Sequence, residues 1–437
     1  MNRIFIILIF FIQTHCSLDT KSGIWTKNKK VQIEEKILKK VFVNEEALKK
    51  EINKDLQIKL SSKLINSSKL DNSNNSGRIN FNGKLEKISK FKFSKIDNFD
   101  YFEPEIIFDN KNIIFFDDKS SIIKFDEMSK IIWKKNYYTK SEKKLKPILS
   151  FAKKNDTLVV TDNISKYYAI NINSGELLWK KYNSSPFNSQ IKIYKDKFLV
   201  IDFENILRCF SIKDGEEIWK INSGDAFLKS EKRLSLIVVK NIVYFNNSLG
   251  DITAVDINSG NAIWQTPTQS STIYEDAFFL KTSDLIANQK SIIFSNNKNE
   301  FYSLNLKTGV LNWKQKVNSN VRSTIINELV FSISNEGYFF IIDINTGKII
   351  RVTNIFKPFN NKKKIKLFNQ PKIYPEGFIV GKEKVYLTTS HGRLLIIDIS
   401  SGILESILKI DNEKISRPFI SNKEMFIVKE NSIIKLN

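Results

Sequence analysis

One phrase recurs through most of this 437-residue chain. It consists of an apolar strand, a tight turn, a second strand, a turn that ends in glycine, and a third strand with tryptophan four residues after that glycine; residues 242–265 are the clearest copy. Six copies keep the glycine, at Gly175, Gly215, Gly260, Gly309, Gly347 and Gly402. Their spacings of 38 to 55 residues fit one four-stranded blade each, which needs about 40 to 50 residues. The repeat therefore predicts an all-β protein built as a β-propeller.

The glycine and the tryptophan have separate expected roles. Asn, Asp, Ser or Thr before the glycine favours a turn, and glycine accepts a positive φ without Cβ strain. The tryptophan would fill the wedge between neighbouring blades, burying on the order of 200 Å². The expected blade-docking residues are Trp133, Trp179, Trp219, Trp264 and Trp313. Two copies have Arg351 and Ser406 at this position, which predicts the loosest docking there.

The number of copies predicts eight blades, with seven as the alternative. Seven copies are visible, of which the first, residues 113–134, keeps Trp133 and loses the glycine. An eighth copy starts at Met425 and ends one strand short. A strand from the N-terminal side would close the ring and remove exposed sheet edges. Residues 79–93 are the candidate for that strand, so we expect the propeller to cover residues 77–437.

The chain begins with features of an exported lipoprotein. A weakly basic start followed by nine apolar residues, 4–12, is typical of a signal peptide over residues 1–15 and is too short to span a bilayer. Cys16 stands directly after this segment and resembles the lipidated cysteine of a bacterial lipobox, although Gln13 and His15 depart from the usual motif. Ordinary secretion with an unmodified Cys16 is the alternative.

Residues 16–76 differ from the repeats and are expected to form a partly helical tether. Apolar residues within the Lys/Glu-rich stretch 31–56 fit one or two amphipathic helices. Residues 66–77, which are rich in Asn and Ser, are expected to be a polar linker.

Composition disfavours nucleic-acid binding. The formal net charge is +22, and most of the positive charge comes from lysine because the chain has only eight arginines. Nucleic-acid readers usually rely on arginine for bidentate contacts. The lysines are spread along the chain, so we interpret them as a solvated surface. A basic face for anionic lipid or an acidic partner is the alternative.

Residue types that carry catalysis or metal binding are scarce. Of the two cysteines, Cys209 lies in an apolar strand and is expected to be a small buried filler. Of the two histidines, His15 precedes Cys16 and His391 lies in a turn, so neither a His-based metal site nor a catalytic triad is expected. The basic and aromatic segment 355–372 is expected to be a long surface loop, with contact to a membrane or a partner as the alternative.

The turn phrase Asp/Asn-x-x-Ser/Thr-Gly-x-x-x-Trp resembles the repeat of quinoprotein-type (PQQ-like) propellers over residues 113–437. Together with Cys16 and eight small blades, it makes the chain similar to the BamB family, the lipoproteins of the outer-membrane β-barrel assembly machinery. The resemblance implies a lipid-anchored scaffold without catalytic activity, cofactor or metal, at the periplasmic face of the outer membrane. Ser17 after Cys16 agrees with outer-membrane sorting in the best-known rule.

The partners implied by the resemblance are the POTRA domains of the barrel-forming subunit BamA and the other lipoproteins of the machinery, within a hetero-complex in which this chain is a monomer. In the family, an apolar and cationic pair between two mid-propeller blades contributes to the BamA contact. Leu228 and Lys229 match that pair here, with lysine in place of arginine, which weakens any bidentate contact. An ordinary connection between blades is the alternative for these residues.

Two other functions stay open at this point, because a propeller fold does not determine function. One is a different envelope scaffold. The other is a quinoprotein dehydrogenase, a family that shares the repeat and also carries a vicinal cysteine pair, calcium-ligating carboxylates and a catalytic aspartate. This chain has no adjacent cysteines and no acidic trio that can be assigned to calcium, which disfavours the enzyme.

Overall fold

Eight four-stranded antiparallel sheets form the blades of a propeller in the computed structural model. The structure describes residues 48–60, 63–66, 72–97, 99–224, 229–268, 280–360 and 372–437. In each of the first seven blades, four consecutive strands follow one another from the central channel to the rim. The prediction of an all-β, eight-bladed propeller is confirmed, and the seven-bladed alternative is wrong.

Blades 1 to 4 contain strands β2 to β17. Blade 1 consists of β2 (Ile107–Asp109), β3 (Asn112–Phe116), β4 (Ile122–Phe125) and β5 (Ile131–Lys135). Blade 2 consists of β6 (Leu149–Lys154), β7 (Thr157–Asp162), β8 (Lys166–Asn171) and β9 (Leu177–Tyr182). Blade 3 consists of β10 (Lys192–Tyr194), β11 (Lys197–Ile201), β12 (Ile206–Ser211) and β13 (Glu217–Asn222). Blade 4 consists of β14 (Leu236–Val239), β15 (Ile242–Asn246), β16 (Ile252–Asp256) and β17 (Ala262–Thr266).

Blades 5 to 8 contain the remaining strands. Blade 5 consists of β18 (Ile286–Ala287), β19 (Ser291–Asn296), β20 (Glu300–Asn305) and β21 (Leu311–Gln315). Blade 6 consists of β22 (Thr324–Ile326), β23 (Leu329–Ile333), β24 (Tyr338–Asp343) and β25 (Ile349–Asn354). Blade 7 consists of β26 (Pro375–Val380), β27 (Lys384–Thr389), β28 (Arg393–Asp398) and β29 (Leu404–Lys409). Blade 8 consists of β30 (Phe419–Ser421), β31 (Glu424–Lys429), β32 (Ser432–Leu436) and, at its rim, β1 (Lys87–Lys92).

The rim strand of blade 8 comes from the N-terminal side of the chain. β1 pairs antiparallel with β32, with Phe91 opposite Ile433, and it lies within the segment 79–93. Phe91 is fully buried and packs edge-on against Phe125 of blade 1. The first and last parts of the propeller are thereby joined in one sheet, which closes the ring.

Helices are few and short in the described part of the chain. α1 (Lys140–Lys144) lies between blades 1 and 2 and starts with a capping box, in which Thr139 and Glu142 satisfy each other's backbone N–H groups. α2 (Lys357–Asn360) follows blade 6, and one 3₁₀ turn covers Phe99–Tyr101. No helix among the described residues has the length and apolar character needed to cross a membrane.

The core lies between the blades because the inner and middle strands are apolar on both faces. β11 and β23 are typical, since every residue after the first is buried in each of them. The rim strands alternate instead, and β9 exposes three of its six residues. This pattern agrees with sheets that are packed on both sides near the channel and solvated at the rim.

The segment from Leu48 to Ile58 docks on the rim of blades 5 to 7 and contains no helix. Ile52 exchanges two backbone hydrogen bonds with Val352 of β25, of 3.1 and 2.9 Å, and Ile58 donates to the carbonyl of Ser400. The prediction of helix over 31–56 is therefore wrong for its described part, 48–56. These residues satisfy their backbone at the edge of a blade, while Leu48 and Ile52 pack on the core between blades 5 and 6.

A second N-terminal segment, residues 72–79, crosses the channel and is here called the channel segment. Asn72 and Ser73 accept backbone hydrogen bonds from Val238 and Ala287, on the inner strands of blades 4 and 5. Ile79 donates to Val380 on the inner strand of blade 7. The described part of the expected polar linker is thus bonded to the propeller interior.

Candidate functional site

The order of the strands places every connection between blades on one face of the propeller, here called the connection face. In a four-stranded antiparallel sheet, the first and third turns lie on one side and the second turn and the exit lie on the other. Each inner strand therefore starts at the connection face and runs into the channel. Residues just before or at the start of the inner strands surround the channel mouth.

Nine charged residues occupy these positions and form the channel-mouth cluster. They are Glu103, Glu105, Lys232, Arg233, Asp284, Arg322, Glu376, Lys414 and Arg417. Each stands shortly before an apolar run, a signal that the sequence contains. The sequence analysis missed the cluster because its members are spread over more than 300 residues and meet only in the closed ring.

Arg233 is the centre of the cluster. Its guanidinium lies 3.1 Å from a carboxylate oxygen of Glu105, 3.3 Å from Glu103 and 3.7 Å from Asp284. Burial opposes ionisation of Arg233, but Glu105 and Asp284 outweigh it and raise its pKa. Burial would likewise raise the pKa of Glu103, but Lys232 and Arg233 lower it to about 2. These groups therefore remain charged and paired at neutral pH.

Arg322 and Arg417 are less well paired than Arg233. Their side chains are 7% and 10% exposed, and their nearest carboxylate oxygens lie at 3.8 and 3.9 Å. The Nη1 atom of each is buried and has no hydrogen-bond partner among the described residues. Burial, together with the neighbouring charge of Arg322, lowers the pKa of Arg417 to about 9. Arg417 also stacks on Phe419, with 4.3 Å between the guanidinium carbon and the ring centre.

The channel segment and the cluster are joined by hydrogen bonds. The Asn74 amide donates to the Gln190 side chain over 3.0 Å, and Gln190 donates to Asp284 over 2.8 Å. Lys192 donates to the Asn74 side-chain oxygen. On the other side of the channel, blades 8, 1, 2 and 3 surround a cavity of about 400 Å³, which also touches Asn72.

The structure separates the two predicted partner-binding residues. Lys229 is exposed and lies on the connection between blades 3 and 4, three residues before Lys232 of the channel-mouth cluster. Leu228 lies outside the described residues. Lys229 is therefore on the connection face, next to the buried ions.

Five of the contacts between blades share one geometry. Each tryptophan packs on the turn glycine of the following blade, in the pairs Trp133–Gly175, Trp179–Gly215, Trp219–Gly260, Trp264–Gly309 and Trp313–Gly347. A Cβ atom at these glycines would lie 2.5 to 3.0 Å from the indole, so only glycine leaves room for the ring. The indole nitrogens of Trp179 and Trp313 each donate over 2.8 Å to the carbonyl three residues before the glycine.

Arg351 occupies the same position between blades 6 and 7. It is fully buried, its Nη2 donates to the Ile399 carbonyl over 3.0 Å, and it lies against Gly402. Its Nη1 reaches the carbonyls of Ser400 and of Leu56, which belongs to the N-terminal segment. The prediction of loose docking at Arg351 is therefore wrong, because its donors replace the single indole donor and add two further bonds.

Ser406, by contrast, is exposed and has no such partner turn. The rim strand of blade 8 comes from residues 87–92, so no turn joins it to β32. A tryptophan at position 406 would have no glycine to pack on, which explains its loss.

The remaining candidate residues have structural surroundings. Cys209 is buried, and burial raises the pKa of its thiol to about 12, which agrees with a filler in the core. His391 lies in the turn between β27 and β28 beside the Ser390 hydroxyl, 3.0 Å away. Phe356 of the expected surface loop is buried against Gly337, so the loop prediction is wrong at its start. Cys16 and residues 361–371 lie outside the described part.

The channel does not offer the ligands that a calcium-dependent quinoprotein requires. Among the described residues, no group of three or more His, Cys, Asp or Glu side chains is arranged to hold a metal ion. The acidic residues of the channel-mouth cluster face arginine and lysine, so they do not present carboxylates to a cation.

The fold and the blade contacts define a quinoprotein-type propeller, and solved structures agree. BamB from Moraxella catarrhalis superposes with a TM-score of 0.62 at 14% identity, covering 81% of this chain and 99% of that chain. A europium-containing methanol dehydrogenase gives 0.61 at 13% identity, covering 82% of this chain and 87% of that chain. Both similarities are in fold.

The sequence pattern of the family described as "Outer membrane protein assembly factor BamB" matches residues 118–353, and the chain belongs to that family. A curated relative, the outer membrane protein assembly factor BamB of Legionella pneumophila (strain Paris), is 23% identical over 179 residues. That match covers 39% of this chain and 42% of the relative, so the chain spans about two fifths of that protein's length.

Proposed function

We propose that this protein is a scaffold lipoprotein of the outer-membrane β-barrel assembly machinery, anchored through Cys16 at the periplasmic face of the outer membrane. The observation that carries the proposal is the family match over residues 118–353, which spans blades 1 to 6. In this role the protein binds the POTRA domains of BamA, stands beside the other lipoproteins of the machinery as a monomer, and assists insertion of outer-membrane proteins. Catalysis and a cofactor have no part in it.

The geometry that supports the contact is the connection face near Lys229. The exposed Lys229 stands on the connection whose next charged residues, Lys232 and Arg233, are held by Glu103 and Glu105 in the channel-mouth cluster. A surface residue on a rigidly held connection can contact a partner without a large loss of conformational entropy. Leu228 would add apolar area to the same contact.

Affinity capture from detergent-solubilised envelopes tests the proposal. The full chain should recover BamA, and Leu228→Glu with Lys229→Glu should reduce that recovery by at least about tenfold, the usual cost of reversing central contacts. Lys307→Glu is the matched control, because Lys307 is exposed in the turn between β20 and β21 on the opposite face. Failure of the unaltered chain to recover BamA would contradict the proposal.

Lipidation is tested separately by mass spectrometry of the mature protein. The proposal expects a diacylated or triacylated cysteine derived from Cys16 as the first residue. Cys16→Ser should release the protein from the membrane fraction. An unmodified N-terminus at another position would remove the anchor from the proposed function. Calorimetry with pyrroloquinoline quinone and calcium tests the dehydrogenase alternative, and tight binding would revive it.

A further inference from the structure

The cavity in the channel has the lining of a binding site. It measures about 400 Å³, within the range of ligand pockets in proteins. Its apolar side includes Ile106, Phe108, Phe151 and Phe419, and its polar side includes Arg417. An apolar body and one charged group are therefore required of any ligand that fills it.

Arg417 supplies the charged end of the cavity. Its side chain is nine-tenths buried, its Nη1 atom has no hydrogen-bond partner among the described residues, and its nearest carboxylate, Glu105, lies 3.9 Å away. Glu105 is also the closer partner of Arg233, at 3.1 Å. A buried guanidinium with an unfilled donor favours a carboxylate from outside the cluster.

The walls of the cavity are sheet edges. β2, β6 and β10 are the inner strands of blades 1, 2 and 3, and each is the last strand of its sheet. A strand edge carries backbone N–H and C=O groups that can pair with an added extended chain. A fatty acid of the same volume would leave these polar groups without partners.

The opposite half of the same channel shows which occupant such edges accept. There the channel segment, an extended part of the protein itself, bonds to the inner strands through Asn72, Ser73 and Ile79. Blades 4, 5 and 7 thereby have chain against their inner edges, whereas blades 1, 2 and 3 enclose the cavity. The two halves differ in occupancy and share the same kind of edge.

We propose that the cavity between blades 8, 1, 2 and 3 binds a short extended peptide from another protein, which pairs with β2 or β6 and places a carboxylate on Arg417. β2 has three residues, so the bound part is about three residues, or about 10 Å, long. Apolar side chains of the peptide pack on Phe108 and Phe151. This site is independent of the proposed contact through Lys229.

Amide hydrogen exchange of the full chain in detergent tests this site. The probe is the peptide acetyl-Val-Thr-Ile with a free C-terminal carboxylate, at millimolar concentration, compared with the same peptide as its carboxamide and with decanoate. The carboxylate peptide should slow exchange in β2 and β6 and leave β14 and β18 unchanged. The carboxamide should bind at least about tenfold more weakly, because it lacks the charge that Arg417 would pair.

The variant Arg417→Gln should bring the carboxylate and carboxamide peptides to equal affinity. Arg393→Gln is the control, since Arg393 lies on β28 outside the cavity and should leave the preference intact. The comparison of the two peptides on the unaltered protein holds even if Arg417→Gln does not fold. Absence of protection in β2 and β6, equal binding of both peptides, or protection by decanoate equal to that by the peptide would overturn the proposal. Recovery of BamA in the capture experiment should be unchanged in Arg417→Gln, so the two proposals fail independently.

Discussion

The contacts between blades 1 to 6 and the contact between blades 6 and 7 solve one packing problem with different side chains. In the first group, an indole lies flat on a turn glycine and donates one hydrogen bond to a buried carbonyl. Between blades 6 and 7, the guanidinium of Arg351 lies against Gly402 and donates to the equivalent carbonyl, that of Ile399. The position therefore requires a planar group with a donor, and aromatic character is one way to provide it.

The difference between the two side chains lies in their additional donors. Tryptophan has a single N–H donor, whereas arginine has five in a fixed fork. Arg351 uses the extra donors on Ser400 and on Leu56, so this contact also holds the N-terminal segment 48–58. The exception to the repeat is thus the place where the chain before the propeller is attached.

Removing a tryptophan should have the largest effect on stability. Trp313 is 8% exposed and donates to Ile344, so Trp313→Ala leaves a cavity and an unsatisfied carbonyl. We expect a loss of about 4 kcal/mol in the free energy of unfolding, measured by urea denaturation. A loss below about 1 kcal/mol would show that the tryptophans do not dock the blades.

Arg351→Ala should cost slightly less, about 3 kcal/mol, because it leaves three carbonyls without a donor and opens a smaller cavity. Lys348→Ala, at an exposed position close to the start of the same strand, is the control and should change stability by less than about 0.5 kcal/mol. Equal results for the two variants would contradict the equivalence of Arg351 and the tryptophans.

The glycine half of the contact should show an intermediate effect. Gly347 has φ +72°, and a Cβ there would lie 2.5 Å from the Trp313 ring. Gly347→Ala should therefore destabilise the protein by about 2 kcal/mol, from left-handed backbone strain and displacement of the indole. Thermal denaturation measures this effect, and a neutral result would exclude close packing at this turn.

Ser129 gives the smallest expected effect and isolates the role of the ring. It occupies the corresponding turn of blade 1 with φ 64°, but blade 8 presents β1, which contains no tryptophan, to this turn. Ser129→Gly should change stability by no more than about 0.5 kcal/mol, because relief of strain is offset by entropy of the unfolded chain. A gain above about 2 kcal/mol would mean that the turn itself, without the ring, sets the requirement for glycine.

The sequence predicts the part of this structure that repeats. Glycine spacing and the tryptophan four residues later indicate the blade, the turn and the contact, because the physical requirement is local to a few residues. The copy that begins at Met425 and lacks its rim strand indicates closure by a segment such as β1.

The parts that were not predicted depend on contacts between distant residues. Asn72 and Ser73 appear as linker residues because their bonds to blades 4 and 5 are made by backbone atoms, which any sequence has. Arg351 appeared as a failed copy because its partners are carbonyls of other segments, which leave no mark on residue type. The channel-mouth cluster likewise consists of ordinary charged residues until the ring closes.

The most direct test is amide exchange of Ile52 and Ile58 in the variant Arg351→Trp. The substitution restores the repeat, so blade 7 should keep its exchange rates and overall stability should stay within about 1 kcal/mol of the unaltered protein. It also removes the bond to Leu56, so exchange at Ile52 and Ile58 should accelerate by about tenfold or more. Unchanged protection of both amides in a folded Arg351→Trp protein would contradict the claim that this arginine attaches the N-terminal segment.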